Sequence, residues 1–250
     1  MQPRIAIPVP HSESEYANRS LPPYLRAIET AGGEPVPIAL GLTNSEIARL
    51  ATCCDAILLP GSRADIDPEK YGVLDRHPQT APADPARDNA DELLLQDAFN
   101  MRKPVFGICY GLQSLNVWRT GSLLQHIESE LNHAPGRDVM PAHSVRIEGG
   151  SLLAEIIGCS GDIGVNSSHH QAASQIGDGL RTVAHSNDGT IEAVEGTAPD
   201  HWVIGVQWHP ERTVETDGPS LRLFQAFIEA ARLRHQHPRT ATLDFESTPL

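Results

Sequence analysis

The chain has 250 residues, 40% hydrophobic and 20% charged, enough apolar material to bury a sizeable core as a single domain. A formal net charge of −13 argues against nucleic-acid backbones and anionic membranes as main partners. The four cysteines include the adjacent Cys53 and Cys54, and there is no Cys-x-x-Cys spacing, leader-like apolar region or membrane-length run, so a reduced, cytoplasmic protein is expected.

In chain order, residues 5–9 read as a short apolar strand. Residues 20–31 read as a helix with Leu25, Ile28 and Ala31 on one face and Gly32-Gly33 as its stop. A second strand spans 35–38, and Thr43-Asn44-Ser45-Glu46 is a capping box opening a helix that runs to Leu50. Residues 55–60 are an apolar strand running into Gly61-Ser62. The stretch 63–87, rich in Asp, Pro and Ala, is longer than most connections in compact domains, which marks a functional or mobile loop. Residues 88–101 form a helix burying Leu94, Leu95, Ala98 and Phe99, and 104–108 form a further strand. Strands alternating with helices imply a parallel sheet covered on both faces.

At Gly107-Ile108-Cys109-Tyr110-Gly111 an apolar strand turns sharply into an apolar-periodic helix, with the thiol at the apex. This is the nucleophile-elbow pattern with cysteine in place of serine. Glycines two before and two after the cysteine remove side chains where strand and helix crowd, and the helix N-terminus favours a thiolate. Taken alone, the segment also fits an inert cysteine buried in a β-α unit.

Beyond the elbow the pattern changes. Residues 143–147, 163–165, 180–185 and 191–194 read as short strands, with Ser186-Asn187-Asp188-Gly189 as the hairpin turn joining the last two. Residues 203–208 return to the sheet, and 219–233 form an amphipathic closing helix anchored by Leu223, Phe224, Phe227 and Ile228. The domain is expected to span 1–234, with a flexible tail at 235–250. The strand at 203–208 delivers His209-Pro210-Glu211. Residues i and i+2 of an extended chain share a side, so Glu211 can orient His209 while the other ring nitrogen faces a nucleophile. His-Pro-Glu alone also fits a surface turn, but beside a cysteine elbow it reads as catalytic.

Four blocks carry a family resemblance: Gly107-Ile108-Cys109-Tyr110-Gly111-Leu112-Gln113, Val165-Asn166-Ser167-Ser168-His169-His170-Gln171, Asp188-Gly189-Thr190-Ile191-Glu192-Ala193, and Gly205-Val206-Gln207-Trp208-His209-Pro210-Glu211. In this order they resemble the class I glutamine amidotransferase superfamily over residues 4–233. Leu59-Pro60-Gly61-Ser62, Pro68-Glu69-Lys70-Tyr71-Gly72 and Arg87-Asp88 look like its γ-glutamyl-γ-aminobutyrate hydrolase group. The resemblance implies an α/β fold of flavodoxin-like type, with a mostly parallel central sheet flanked by helices and a small antiparallel addition. It also implies Cys109 as nucleophile, His209 as base and Glu211 as its orienting residue. Backbone N–H groups of Tyr110 and of Gly61 or Ser62 would form the oxyanion hole. Gln113, Asn166, Ser167, Ser168 and His169 match positions near the glutamyl α-amino and α-carboxylate groups.

The expected reaction is hydrolysis of a γ-glutamyl amide through a thioester, as in the polyamine-degrading members, on a small-molecule substrate and with a homodimer allowed. The alternatives are a glutaminase subunit feeding ammonia to a separate synthase, a non-catalytic binding protein of the same fold, or a poly-γ-glutamyl hydrolase, commonly secreted or vacuolar. Tyr110 stands where the hydrolase group usually has Arg, and Trp118-Arg119-Thr120-Gly121-Ser122 replaces a smaller Ala-rich segment, so the amine half of the substrate is the least defined. His126, His133, His143, His169, His170 and His185 form no His-Glu-x-x-His or comparable ligand pair. Neither a metal nor an organic cofactor is expected.

Overall fold

The computed structural model describes residues 2–137 and 139–236, the side chains of 235 and 236 excepted. Its first half is β1 (Arg4–Pro8), α1 (Ser14–Thr30), β2 (Glu34–Ile38), α2 (Asn44–Thr52), β3 (Ala56–Leu59), α3 (Pro85–Met101), β4 (Val105–Ile108) and α4 (Tyr110–Trp118). The second half is β5 (Leu123–Leu124), β6 (His143–Ile147), α5 (Leu152–Ile157), β7 (Gly161–Val165), β8 (Ala172–Ala173), β9 (Leu180–Ser186), β10 (Ile191–Gly196), β11 (Val203–Val206) and α6 (Gly218–Gln236).

Strand alternation sorts the core onto two faces, because successive side chains leave a strand on opposite sides. Ile5 and Ile7 of β1, Leu58 of β3, Phe106 of β4 and Ile204 of β11 pack with Tyr24 and Ile28 of α1 and Phe224 and Phe227 of α6. Ala6, Ile57, Val105 and Val203, one position out of phase, pack with Ile47 of α2, Leu94 and Leu95 of α3, and Leu112 and Leu115 of α4. The strand order is β2-β1-β3-β4-β11-β10-β9-β6-β7. Strands β2 to β11 in that order pair in parallel. From β11 through β10, β9 and β6 to β7 every pairing is antiparallel. A separate antiparallel pair joins β5 to β8.

Most expected elements occur within a few residues of their predicted bounds, and the exceptions have local causes. Helix α1 begins at Ser14, not at 20, and carries Pro22 and Pro23 inside it. A proline pair usually marks the first turn of a helix. Here the carbonyls that Pro22 and Pro23 leave unpaired belong to Asn18 and Arg19, on the exposed face where water reaches them. Helix α3 begins at Pro85, with the Asp84 carboxylate accepting the Arg87 N–H. The long connection before it contains a 3-10 turn, Pro68–Tyr71, capped by Asp67. Strand β11 ends at Val206, so 207–209 lie beyond the ladder. Helix α6 reaches Gln236, and the rest of the expected tail, 237–250, lies outside the described residues. No described helix is long and apolar enough to cross a membrane.

Candidate active site

Cys109 sits between β4 and α4 with φ 54° and ψ −108°, a left-handed conformation rare for a residue with a side chain. Close approach of strand and helix forces it. A Cβ on Gly107 would lie 2.7 Å from the Gly111 carbonyl oxygen, and one on Gly111 would lie 2.0 Å from that of Leu59. The Cys109 N–H donates to the Val206 carbonyl at 2.8 Å, and its own carbonyl accepts from Leu112 and Gln113. These bonds hold the strained residue from both sides.

His209 follows β11, the parallel neighbour of β4, and so emerges beside the elbow. A Cβ on Gly61 would stand 3.0 Å from His209 Cε1 and 3.6 Å from Cys109 Cβ, so the two residues converge on the turn after β3. His209 Nδ1 lies 2.8 Å from Glu211 Oε1. The carboxylate can only accept, so Nδ1 carries the proton and Nε2 is the basic nitrogen. Glu211 makes this contact from a 3-10 turn, Pro210–Arg212, where an extended chain was expected. The turn still returns the carboxylate to the imidazole two residues earlier.

Asn166, immediately after β7, holds the backbone of His209. Its Oδ1 accepts the His209 N–H and its Nδ2 donates to the His209 carbonyl, both at 2.8 Å. The other positions matched to glutamyl recognition are also engaged by the protein. Ser167 Oγ donates to the His133 carbonyl, Ser168 Oγ accepts from Arg212, and His169 Nδ1 lies 2.9 Å from the Gln171 carbonyl. Gln113 Nε2 donates to the Gln171 carbonyl and to Gln207 Oε1. As placed, these side chains build the wall of the site.

The expected oxyanion donors differ among themselves. The Gly61 N–H is taken by the Tyr24 hydroxyl at 3.0 Å. The Ser62 N–H meets no acceptor among the described residues, and the Tyr110 N–H points at the Cys109 thiol. The Tyr110 ring lies under the Arg87 guanidinium, 4.8 Å from its centroid, and its hydroxyl donates to Asp88. Arg87 is fully buried, paired with Asp91 at 2.7 Å, and it donates to the carbonyls of Pro10 and Pro60. It therefore fixes the turn that carries Gly61 and Ser62. Trp118 stands at the far end of α4, about 12 Å along the axis from Tyr110, and packs at a 48° tilt against Phe99.

Three residues near the chemistry, Tyr24, Arg212 and Asp91, were not singled out from sequence. Tyr24 looks like one more apolar position of α1, and Arg212 like a surface charge. Arg87 and Asp91 do carry a signal, an i,i+4 charge pair on a helix.

Burial dominates the ionisation of the centre. It pushes the Cys109 thiol up to about 12, with Glu211 and Glu192 adding to the rise, while Arg212 and the Tyr110 N–H pull against it. Burial also lowers His209 below its ordinary 6.5, outweighing the opposite pull of Glu211. For Glu211 burial acts upward, but His209 and Arg212 together hold its carboxyl below the usual range. At neutral pH the resting pair is a thiol beside a neutral imidazole whose N–H is anchored, an arrangement suited to general-base activation of sulfur.

The chain is similar to proteins from several sources. It is 36% identical over 220 residues to the γ-glutamyl-γ-aminobutyrate hydrolase PuuD of Escherichia coli K12, covering 84% of this chain and 85% of that protein. It is 38% identical over 212 residues to Rv2859c of Mycobacterium tuberculosis, provisionally named a glutamine amidotransferase, covering 83% of this chain and 66% of that longer relative. Among solved structures, a Thermoplasma acidophilum protein provisionally named as part of a GMP synthase superposes with a TM-score of 0.65 at 14% identity, over 94% of this chain and 97% of the other. The glutaminase domain of Trypanosoma brucei CTPS with bound acivicin also gives 0.65, at 17% identity, over 93% and 94%. These two share the fold. Residues 7–211 match the Peptidase C26 family, and the chain belongs to that family, of class I glutamine amidotransferase-like type.

Proposed function

We propose that the protein hydrolyses a γ-glutamyl amide through a γ-glutamyl thioester on Cys109, with γ-glutamyl-γ-aminobutyrate or another γ-glutamylated amine as substrate. Its family makes it an amidotransferase-like hydrolase, and relatives named for γ-glutamyl-γ-aminobutyrate hydrolysis share 36% of its residues over most of their length. The observation that carries the reading is a cysteine held at positive φ beside an imidazole already anchored to a carboxylate.

As Cys109 Sγ bonds to the γ-carbonyl carbon, its proton passes to His209 Nε2, and the carbonyl oxygen becomes an oxyanion facing the Ser62 and Tyr110 N–H groups. His209 then gives that proton to the amine nitrogen as the C–N bond breaks, leaving the thioester. Water loses a proton to His209 and adds to the thioester carbonyl, and the C–S bond breaks to release glutamate and regenerate the thiol. Glu211 keeps Nδ1 protonated throughout and offsets the charge of the imidazolium. The four cysteines are free thiols, and a reducing cytoplasm preserves the nucleophile.

The test is glutamate release from γ-glutamyl-γ-aminobutyrate, other γ-glutamyl amines and free glutamine, with wild type beside Cys109→Ala. Cys109-dependent release from a γ-glutamyl amine with little from glutamine is the expected result. Release from glutamine alone would move the protein among ammonia-supplying subunits, and release that survives Cys109→Ala would remove the assignment altogether.

A further inference from the structure

A second assembly of histidines and a carboxylate lies beside the first. Glu192, on β10, accepts the N–H of Gln207 on its own carbonyl at 2.7 Å, two residues before His209. Around its side-chain Oε1 stand His133 Nδ1 at 3.4 Å, His143 Nε2 at 3.5 Å and His169 Nε2 at 3.6 Å. The four ligand atoms lie within 4.8 Å of one another. All four residues are at least nine-tenths buried, and Glu192 completely so. The three inward nitrogens and both Glu192 oxygens have no hydrogen-bond partner among the described residues.

The outer nitrogens explain why this matters. His133 Nε2 lies 2.9 Å from Asp188 Oδ2, His169 Nδ1 2.9 Å from the Gln171 carbonyl, and His143 Nδ1 3.4 Å from the Ser144 carbonyl. Each of these neighbours can only accept, so each ring keeps its N–H on the outside. With neutral rings, three lone pairs face a carboxylate in a dry interior, an arrangement that is repulsive unless a proton or a metal ion sits among them. Histidines whose outer N–H is fixed by a carboxylate or carbonyl while the inner nitrogen converges with others are the arrangement seen around bound metals.

We propose that His133, His143, His169 and Glu192 bind one borderline divalent transition-metal ion, Zn²⁺ by preference. Three imidazoles and a carboxylate suit that class and not the oxygen-seeking Mg²⁺ or Ca²⁺. Bonds of about 2.0–2.2 Å in a tetrahedron put neighbouring ligand atoms roughly 3.3–3.5 Å apart. The three N···O separations of 3.4, 3.5 and 3.6 Å are close to that, and a small contraction of the wider N···N pairs completes the site. Four protein ligands leave no open position, so the ion is structural. It fastens β6 and β10 to the segment around His133 and to the wall segment that begins at Asn166. Sequence reading expected no metal, because short ligand spacings are missing. The fold gathers the set from four distant segments instead.

The first arm uses the unmodified chain, purified without metal-affinity resin. Elemental analysis is expected to give one zinc per chain. After chelation, Co²⁺ is expected to restore the intense visible bands of a tetrahedral nitrogen-rich site, and Zn²⁺ to raise the melting temperature. In the second arm Glu192→Gln, which keeps the side-chain volume, lowers Zn²⁺ affinity by more than about 100-fold, and Asp188→Asn by about 10- to 100-fold. Cys109→Ala keeps the ion, which separates this site from metal bound at the nucleophile. Absence of zinc together with no Co²⁺ spectrum and no Zn²⁺ effect on melting in the unmodified chain overturns the proposal. So does Zn²⁺ affinity undiminished in folded Glu192→Gln, or an ion lost with Cys109→Ala.

Discussion

The two histidine–carboxylate assemblies use the same groups in opposite senses. At His209 a ring N–H points at Glu211, 2.8 Å away, which leaves the other lone pair free for the proton that the proposed reaction takes from sulfur. At Glu192 three rings keep their N–H groups outside and turn their lone pairs inward, at 3.4 to 3.6 Å from the carboxylate. What separates a base from a ligand is the acceptor on the far side of the ring. One hydrogen bond decides whether an imidazole is aimed at substrate or at a cation.

Four substitutions and a pH titration test that contrast. Cys109→Ala removes the group that His209 serves, and kcat should fall by about 10⁵- to 10⁶-fold with the fold intact, judged by rate assays beside circular dichroism. Glu211→Gln should lower kcat by about 10²- to 10⁴-fold, whereas Glu192→Gln should lower it by less than about 10-fold. Equal losses in the two variants would erase the distinction between the assemblies.

Tyr24→Phe should reduce stability by about 1–3 kcal/mol, because the buried Gly61 N–H loses its acceptor, while the rate on γ-glutamyl amides changes little. A rate loss larger than the stability loss would make Tyr24 part of the chemistry. The smallest effect is in pH. His209 is lowered by burial, so the acid limb of kcat/KM should have its midpoint below 6.5, with activity retained above it and lost as the ring protonates. Glu211 raises His209, so Glu211→Gln should move that limb to still lower pH, and Glu192→Gln should leave it in place.

The elbow was legible because its signal is local: two glycines stand at fixed offsets from Cys109, although only Gly107 answers to a near neighbour, a Cβ there lying 2.7 Å from the Gly111 carbonyl oxygen, while Gly111 makes room for the distant Leu59 carbonyl. The capping box at Thr43 and Glu46 was equally local and forms as expected. The start of α1 was misplaced because Pro22 and Pro23 mimic a first turn, and only solvent exposure of Asn18 and Arg19 shows why they are tolerated inside. The Tyr24 contact with Gly61 and the Glu192 cluster were hidden for another reason. Both join segments far apart in sequence, and neither tyrosine in an apolar helix face nor scattered histidines announce a partner.

The pair of hydrogen bonds between Asn166 and His209 ties together two strand ends that lie far apart in the sheet order. Strands β7 and β11, from which these residues exit, are separated by β10, β9 and β6. In a flat sheet that places them about 19 Å apart, four spacings of about 4.8 Å, and the three residues from Val206 to His209 can span only about 10 Å of it. The step from Val165 to Asn166, the Asn166 side chain and the hydrogen bond itself make up the rest, so the amide bridges the whole antiparallel half from its edge strand to the middle of the sheet. A primary amide presents one donor and one acceptor as a peptide group does, so Asn166 acts toward His209 as a strand one residue long. It joins the chain leaving β7 to the chain leaving β11, and the proposed base, His209, sits on that join.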